Sequence, residues 1–443
     1  MSNQWTPNNE NDTEITELPK FDFMREQIKE RPINKKKLLR RTIITASMAV
    51  VFGLVACLTV LVLEPVINNW LYPEEKPEQV VLPQETEEML PEDMVLDDTQ
   101  LQQGEEPEHP IEIQTKEEDG LVSQKKIYDR MREVSKEAAR ALVTVTGVSS
   151  DKDWFDNQYE SEGQSAGVIV ADNGLEYLIL TDMDTLKEAQ SIEVTFCDNK
   201  KVEAQVKMTD PIIGVSVLSI DRELIEASTL EEIRMGNFGS SNYASLVGSP
   251  VIALGSPMGI KDSVVYGMVT SKGNPLNLVD SQYYLMTTDI YGSPKATGVL
   301  INMQGQIVGI INQQYNDISL KNMISALGIS ELKKTIERLS NGEGQAYLGI
   351  YGANVTPEVN ERMQVPFGVY ITEVEMDSPA MHAGIQSGDV LIRLDRKEIS
   401  SYEEYLSVLS ECVPESTIDV TVFRKNQEEY KEMSFQLTPK ELK

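Results

Sequence analysis

The chain has 443 residues and a formal net charge of −31, with 71 acidic side chains against 40 Lys and Arg and only two histidines, His109 and His382. An excess of negative charge on this scale excludes nucleic acid and anionic lipid headgroups as partners of the folded body, because polyanions repel it. Three cysteines in three separate segments, Cys57, Cys197 and Cys412, exclude a disulfide framework and a zinc cluster, and neither a metal nor a cofactor is expected.

Residues 1–41 form a tail that ends in Lys35, Lys36, Lys37, Arg40 and Arg41. From Thr42 to Leu63 no charged residue occurs, and a helix of this length spans about 33 Å, enough to cross a bilayer. A cleaved signal peptide would have an apolar region of roughly 7 to 15 residues closed by a small-residue cleavage site. The run at 42–63 is longer and lacks one, so it reads as an uncleaved transmembrane helix. The cationic cluster on its N-terminal flank, set against Glu64, Trp70 and Tyr72 beyond the other end, puts the tail in the cytosol and the bulk of the chain outside it. Residues 64–120 are rich in Glu, Asp, Pro and Gln, and 71–120 alone hold 17 acids against Lys76 and Lys116. That composition predicts a disordered, self-repelling linker.

Ile127, Met131, Val134 and Ala138 recur at helical spacing, which predicts a short amphipathic helix leading into a strand near Leu142 to Thr146. Short β-rich runs then follow one another: AGVIVA, EYLILT, SIEVTF, VEAQVKM, GVSVLSI, SPVIALG, VVYGMVTS, YYLMTTD, TGVLIN and GQIVGII. Each is punctuated by Gly, Pro, Asn or Asp, and many short strands at this spacing indicate a β-barrel or sandwich domain over 121–340. A helix-like LGISELKKTIERLS and the turn-rich Asn341-Gly342-Glu343-Gly344 close it, and a second β-rich unit occupies 346–443.

The segments SAGVIV (165–170), DPIIGVSVLSID (210–221), VIALGSPMGI (251–260), VVYGMVTSKGN (264–274) and GVLINMQGQIVGI (298–310) resemble, in order and spacing, the HtrA family of trypsin-like serine proteases. The resemblance runs from Tyr128 to the C-terminus and implies a mainly β fold: a chymotrypsin-like double β-barrel followed by an α+β PDZ domain. It also bears on catalysis. The family's histidine motif is set against Leu180 to Leu186, with Asp184 at the histidine position. Its aspartate motif is set against Gly214 to Ile220, with Gly214 in place of the carboxylate. Its nucleophile motif is set against Pro294 to Asn302, with Ala296 in place of serine, or Thr297 in a register shifted by one. Pro294 would replace a glycine whose N–H helps to bind the oxyanion, and proline has no N–H. A serine hydroxyl needs a base to take its proton, and 121–340 contains no histidine. Lys295 beside Ser293 or Thr297 suggests a Ser/Lys dyad only superficially, since a lysine base must be desolvated. Asp182 and Asp184 read as exposed loop carboxylates rather than metal ligands.

In the C-terminal unit, Tyr347-Leu348-Gly349-Ile350, GVYITEV and Ser378 to Ile385 leading into Gly388 to Ile392 resemble an HtrA-type PDZ domain. By that resemblance, backbone amides of Tyr347 to Ile350 hold a peptide's C-terminal carboxylate while the peptide adds a strand to the sheet edge. The helix SSYEEYLSVLSEC would border the groove through Leu406 and Leu409, which read equally well as core. The expected function is that of a membrane-anchored, extracytoplasmic HtrA-like pseudoprotease. It would bind protein or peptide C-termini and, as the resemblance implies, form homo- or hetero-oligomers such as trimers. The alternatives are an active endopeptidase of extracytoplasmic quality control, or a regulatory subunit of one.

Overall fold

A computed structural model of the protein describes residues 35–71, 77–83, 117–152, 158–243, 245–273, 275–426 and 429–442. The N-terminal compact unit, up to residue 75, contains helix α1 (Lys35–Leu71). Within it Leu39–Thr59 is a 21-residue stretch long and apolar enough to cross a membrane, a property shared by anchors and signal sequences.

The second unit, 76–443, holds everything else. Helix α2 (Glu117–Ala138) buries Met131 and Val134 of the predicted apolar stripe and leaves Ile127 exposed. Strands β1 (Leu142–Lys152), β2 (Gln158–Asp172), β3 (Glu176–Asp182), β4 (Ser191–Thr195), β5 (Lys201–Asp210) and β6 (Val215–Asp221) close into a barrel in the order β1-β2-β3-β6-β5-β4. After helix α3 (Ala227–Glu232) come β7 (Pro250–Ser256), β8 (Ser263–Ser271), β9 (Pro275–Leu278), β10 (Ser281–Tyr291), β11 (Thr297–Ile301), β12 (Ile307–Ile311) and β13 (Met323–Gly328). Their order is β13-β12-β11-β7-β8-β10-β9, and pairing of β10 with β13 closes a second ring from which β9 projects. The ten predicted β runs all fall in strands, whereas β9 and β13 were not anticipated.

Why the runs are almost continuously apolar follows from which face each residue uses. Ile179, Leu218 and Ile220 fill the first barrel, and Val251, Ala253 and Leu300 fill the second. Their neighbours Leu178, Leu180, Val217, Ile252, Leu254 and Val299 point the other way, into a shared cluster with helix α4 (Ile329–Asn341). Side chains alternate along a strand, so a strand covered on both faces needs apolar residues at every position.

Helix α4 presents Leu332, Ile336 and Leu339 to that cluster and ends on Gly342, whose φ of 68° closes the last turn in the left-handed conformation. Its Arg338 meets the buried Asp210 at 2.9 Å. The helix also holds residues 77–83, an extended strap. Val80 both donates to and accepts from the Asn341 side chain at 2.8 and 3.0 Å, Leu82 donates its amide to Glu337 at 2.5 Å, and both apolar side chains are buried. The expectation of a disordered linker over 64–120 is therefore corrected at three places, one of them residues 117–120, which already belong to α2. Helix α1 continues to Leu71, and Val80 with Leu82 supplies enough apolar surface to fix the strap despite its acidic surroundings. The remainder of that stretch, 72–76 and 84–116 with His109, lies outside the described residues.

The C-terminal unit contains β14 (Ala346–Tyr347), β15 (Ile350–Asn354), α5 (Pro357–Met363), β16 (Val369–Val374), α6 (Pro379–Ala383), β17 (Val390–Leu394), β18 (Lys397–Glu398), α7 (Tyr402–Glu411), β19 (Ile418–Asn426), β20 (Glu429–Leu437) and β21 (Lys440–Glu441). The main sheet runs β15-β16-β17-β19-β20, leaving β15 as an edge strand, and β14 pairs with β21. Ser378 caps α6 by accepting the Met381 amide at 3.2 Å, Pro379 occupies its first turn, and Gly384 ends it at φ 91°. The Gly388-Asp389 turn is held by Arg424, whose guanidinium donates to both Asp389 oxygens at 2.7 Å and to the Gly384 carbonyl at 2.7 Å.

Candidate active-site cleft and peptide groove

The positions set against a catalytic triad lie on loops within each barrel: Asp184 between β3 and β4 and Gly214 between β5 and β6 in the first, and Ala296 between β10 and β11 in the second. After β3 the chain turns through Asp182 to Leu186. Asp182 accepts the Asp184 amide at 2.8 Å, and Met183 donates to the Gly214 carbonyl at 2.9 Å. Asp184 points into solvent, 77% exposed, and pairs with Lys187 at 2.6 Å. Asp182 was expected to be exposed but is half-buried, and burial raises its carboxyl above the usual carboxylate range against the pull of the Asp184 amide. Gly214 has φ 69°, and a Cβ there would meet the Gln314 side-chain oxygen at 2.9 Å.

Residues 292–297 form a tight turn. Ser293 donates its amide to Pro257, Lys295 donates to the Ser293 hydroxyl at 3.1 Å, and Ala296 donates to the Ser293 carbonyl at 3.0 Å. With Pro294 lacking an N–H, the turn's amides at 293, 295 and 296 are all spoken for within the protein. Ala296 is buried in the second barrel's core. The Thr297 hydroxyl accepts the Ala166 amide at 2.8 Å, a bond between the barrels. Lys295 is exposed, so its ammonium stays in solvent.

A segment that sequence reasoning passed over joins these parts. Asn312 donates its side-chain amide to Ile213 at 2.9 Å, Tyr315 donates its hydroxyl to Ile212, and Gln313 reaches the Ser293 carbonyl at 3.3 Å. Polar, turn-forming NQQYN reads locally as an ordinary loop, and only the tertiary fold sets it between Gly214 and the 292–297 turn. The cleft lined by Thr181, Asp182, Thr297 and Asn312 encloses about 20 Å³, room for about one water molecule and too little for a peptide side chain. No group of three or more His, Cys, Asp or Glu side chains suited to a metal occurs among the described residues.

In the C-terminal unit, Leu348 and Ile350 are fully buried, and Gly349 takes φ 86°. A Cβ on Gly349 would run into Ser378, so glycine is required by both conformation and space. The amides of Leu348, Gly349 and Ile350 converge on one carboxylate, that of Asp280 in the turn between β9 and β10, at 2.7, 2.6 and 3.1 Å. Tyr405 of α7 donates its hydroxyl to the same carboxylate at 2.6 Å. Leu409 belongs to the core, 1% exposed, and Leu406 packs against it half-buried. Tyr347 is half-buried, and burial, with Asp280 and Glu375 nearby, pushes its phenol up to about 12. His382 sits exposed on α6.

Residues 165–310 match the trypsin-like peptidase domain model, and residues 346–433 match the PDZ domain model. The chain thus joins a trypsin-like peptidase domain to a PDZ domain. A probable periplasmic serine endoprotease, DegP-like, from Pseudomonas fulva (strain 12-X) is 28% identical over 277 residues, covering 60% of this chain and 54% of the relative. The Bacillus subtilis (strain 168) serine protease Do-like HtrA is 27% identical over 286 residues, covering 60% of this chain and 62% of the relative. The chain thus spans about half the length of the DegP-like relatives it matches. Among solved structures, an HtrA-type protease AlgW with decapeptide superposes with a TM-score of 0.52 at 20% identity, over 70% of this chain and 97% of that one. The likeness establishes the HtrA-type fold of two chymotrypsin-like barrels and a PDZ domain.

Proposed function

We propose that the protein is a membrane-anchored, extracytoplasmic HtrA-like pseudoprotease, a scaffold or sensor that binds peptide or protein C-termini through its PDZ domain. The observation that carries this reading is that the barrels contain no histidine. Asp184, Gly214 and Ala296 stand where imidazole, carboxylate and hydroxyl would be needed, and a triad works only with those groups at hydrogen-bonding distance. Three features support it further: the internally bonded 292–297 turn, the Thr297 hydroxyl engaged with Ala166, and a cleft too small for a peptide side chain. The cationic residues in the first turns of α1, Lys35 to Lys37 with Arg40 and Arg41, support a cytosolic N-terminus. Assembly into a trimer, with itself or with a catalytic relative, is part of the same reading.

A second reading, endopeptidase activity through another nucleophile, is favoured by the names of the relatives. Full-length protein in detergent, incubated with unfolded casein and a fluorophosphonate probe, separates the two. The pseudoprotease reading expects no fragments and no labelled barrel residue. Turnover abolished by Thr297→Ala or Lys295→Ala overturns it.

A further inference from the structure

The carboxylate loop of the PDZ domain already holds a carboxylate. Three consecutive backbone N–H groups aimed at one point form a site for two negatively charged oxygens, and Asp280 places both of its oxygens there. The contact goes beyond an ion in a nest. Asp280 also donates its own amide to the Ile350 carbonyl at 2.9 Å, the backbone bond that an added strand makes with the edge strand β15. Leu278 offers its carbonyl to the Tyr402 hydroxyl at 3.2 Å, and Tyr405 completes the shell around the carboxylate. The β9–β10 turn therefore lies between β15 and α7, the two walls of a PDZ groove. Asp280 is 1% exposed and adopts φ 47°, a left-handed conformation that aspartate tolerates better than most residues.

We propose that the chain carries its own PDZ pseudo-ligand: the β9–β10 turn caps the groove in cis through Asp280, and a peptide C-terminus enters only by displacing it. The inference rests on the reading of this domain as a carboxylate-binding module. Its consequence is a threshold. Apparent affinity for a free C-terminus is lowered by the fraction of molecules whose groove is open, and the tethered competitor acts at a high effective concentration that no dilution removes. Because β10 is a strand of the second barrel, paired with β8 and β13, the cap is part of the peptidase-like domain and not a loose tail.

The test uses full-length protein in detergent and two fluorescein-labelled decapeptide pools with four randomised last residues, one with free C-termini and one amidated. Asp280→Gly removes the carboxylate while suiting the left-handed turn, and Asp280→Asn keeps its size without the charge. The expected result is at least about tenfold tighter binding of the free-acid pool by Asp280→Gly than by the wild type, a smaller gain for Asp280→Asn, and no gain for the amidated pool. Hydrogen exchange at the amides of 348–350 should be slow in the wild type and fast in Asp280→Gly. Equal free-acid binding by wild type and both variants, with acid preferred over amide in each, overturns the cap and leaves the carboxylate-binding reading standing. Failure of every form to prefer acid over amide overturns that reading and the cap with it.

Discussion

The inter-barrel cleft and the carboxylate loop of the PDZ domain are built from different material. At the cleft, the chemistry of a protease would reside in three side chains, and the proposed alignment sets an exposed aspartate, a glycine and a buried alanine against those positions. At the loop, the chemistry resides in backbone amides, and these are in place and engaged with Asp280. A site made of side chains is lost by a few substitutions that leave the fold intact. A site made of backbone survives any substitution that preserves the local path, and here that path depends on Gly349.

That contrast can be tested at its strong end first. Gly349→Val should destabilise the C-terminal domain by about 3 kcal/mol or more, combining a strained positive φ with the clash against Ser378, and should abolish any preference for free C-termini. Urea unfolding and the peptide pools read the two effects. Arg338→Ala, by contrast, acts on a side-chain contact beneath the cleft, leaving the buried Asp210 without its partner at a cost of about 2 to 4 kcal/mol. Burial already raises the Asp210 carboxyl above its usual range while Arg338 opposes the rise, so its removal raises it further. A carboxyl with a higher pKa folded than unfolded loses stability as pH climbs between the two values. Unfolding free energy of the variant should therefore fall from pH 4 towards neutrality more steeply than that of the wild type.

Thr297→Ala removes the acceptor of the Ala166 amide and should cost about 1 kcal/mol without changing reactivity towards a fluorophosphonate. Smallest of all is the expected gain from refitting the cleft. Asp184→His, Gly214→Asp and Ala296→Ser together should yield no casein turnover, because Pro294 still withholds an N–H and Gln314 crowds the new carboxylate. Turnover by that triple variant would show that the cleft lacks only side chains, and would dissolve the distinction drawn above.

The barrels were legible in the sequence because strands covered on both faces announce themselves as dense apolar runs, and EYLILT and VSVLSI are such runs. β9 was not, since PLNL is four residues broken by proline and asparagine, and MISALG of β13 runs straight into a helix. The PDZ loop was legible from YLGI. Its partner was not, because an aspartate in a turn between two strands has an entirely local explanation, and no pattern within either segment joins residue 280 to residues 348–350. The strap at 77–83 was hidden by composition, its Val80 and Leu82 diluted among acids and prolines.

That strap has a practical corollary for anyone trimming the protein. Val80 and Leu82 cover apolar surface on α4, and burying such side chains is worth about 1.5 to 3 kcal/mol each. A shortened chain that starts at residue 117 would uncover that surface and free Asn341 and Glu337 of their backbone partners. Recombinant versions that begin at or before Pro77 should melt higher and aggregate less than those that begin after Pro83.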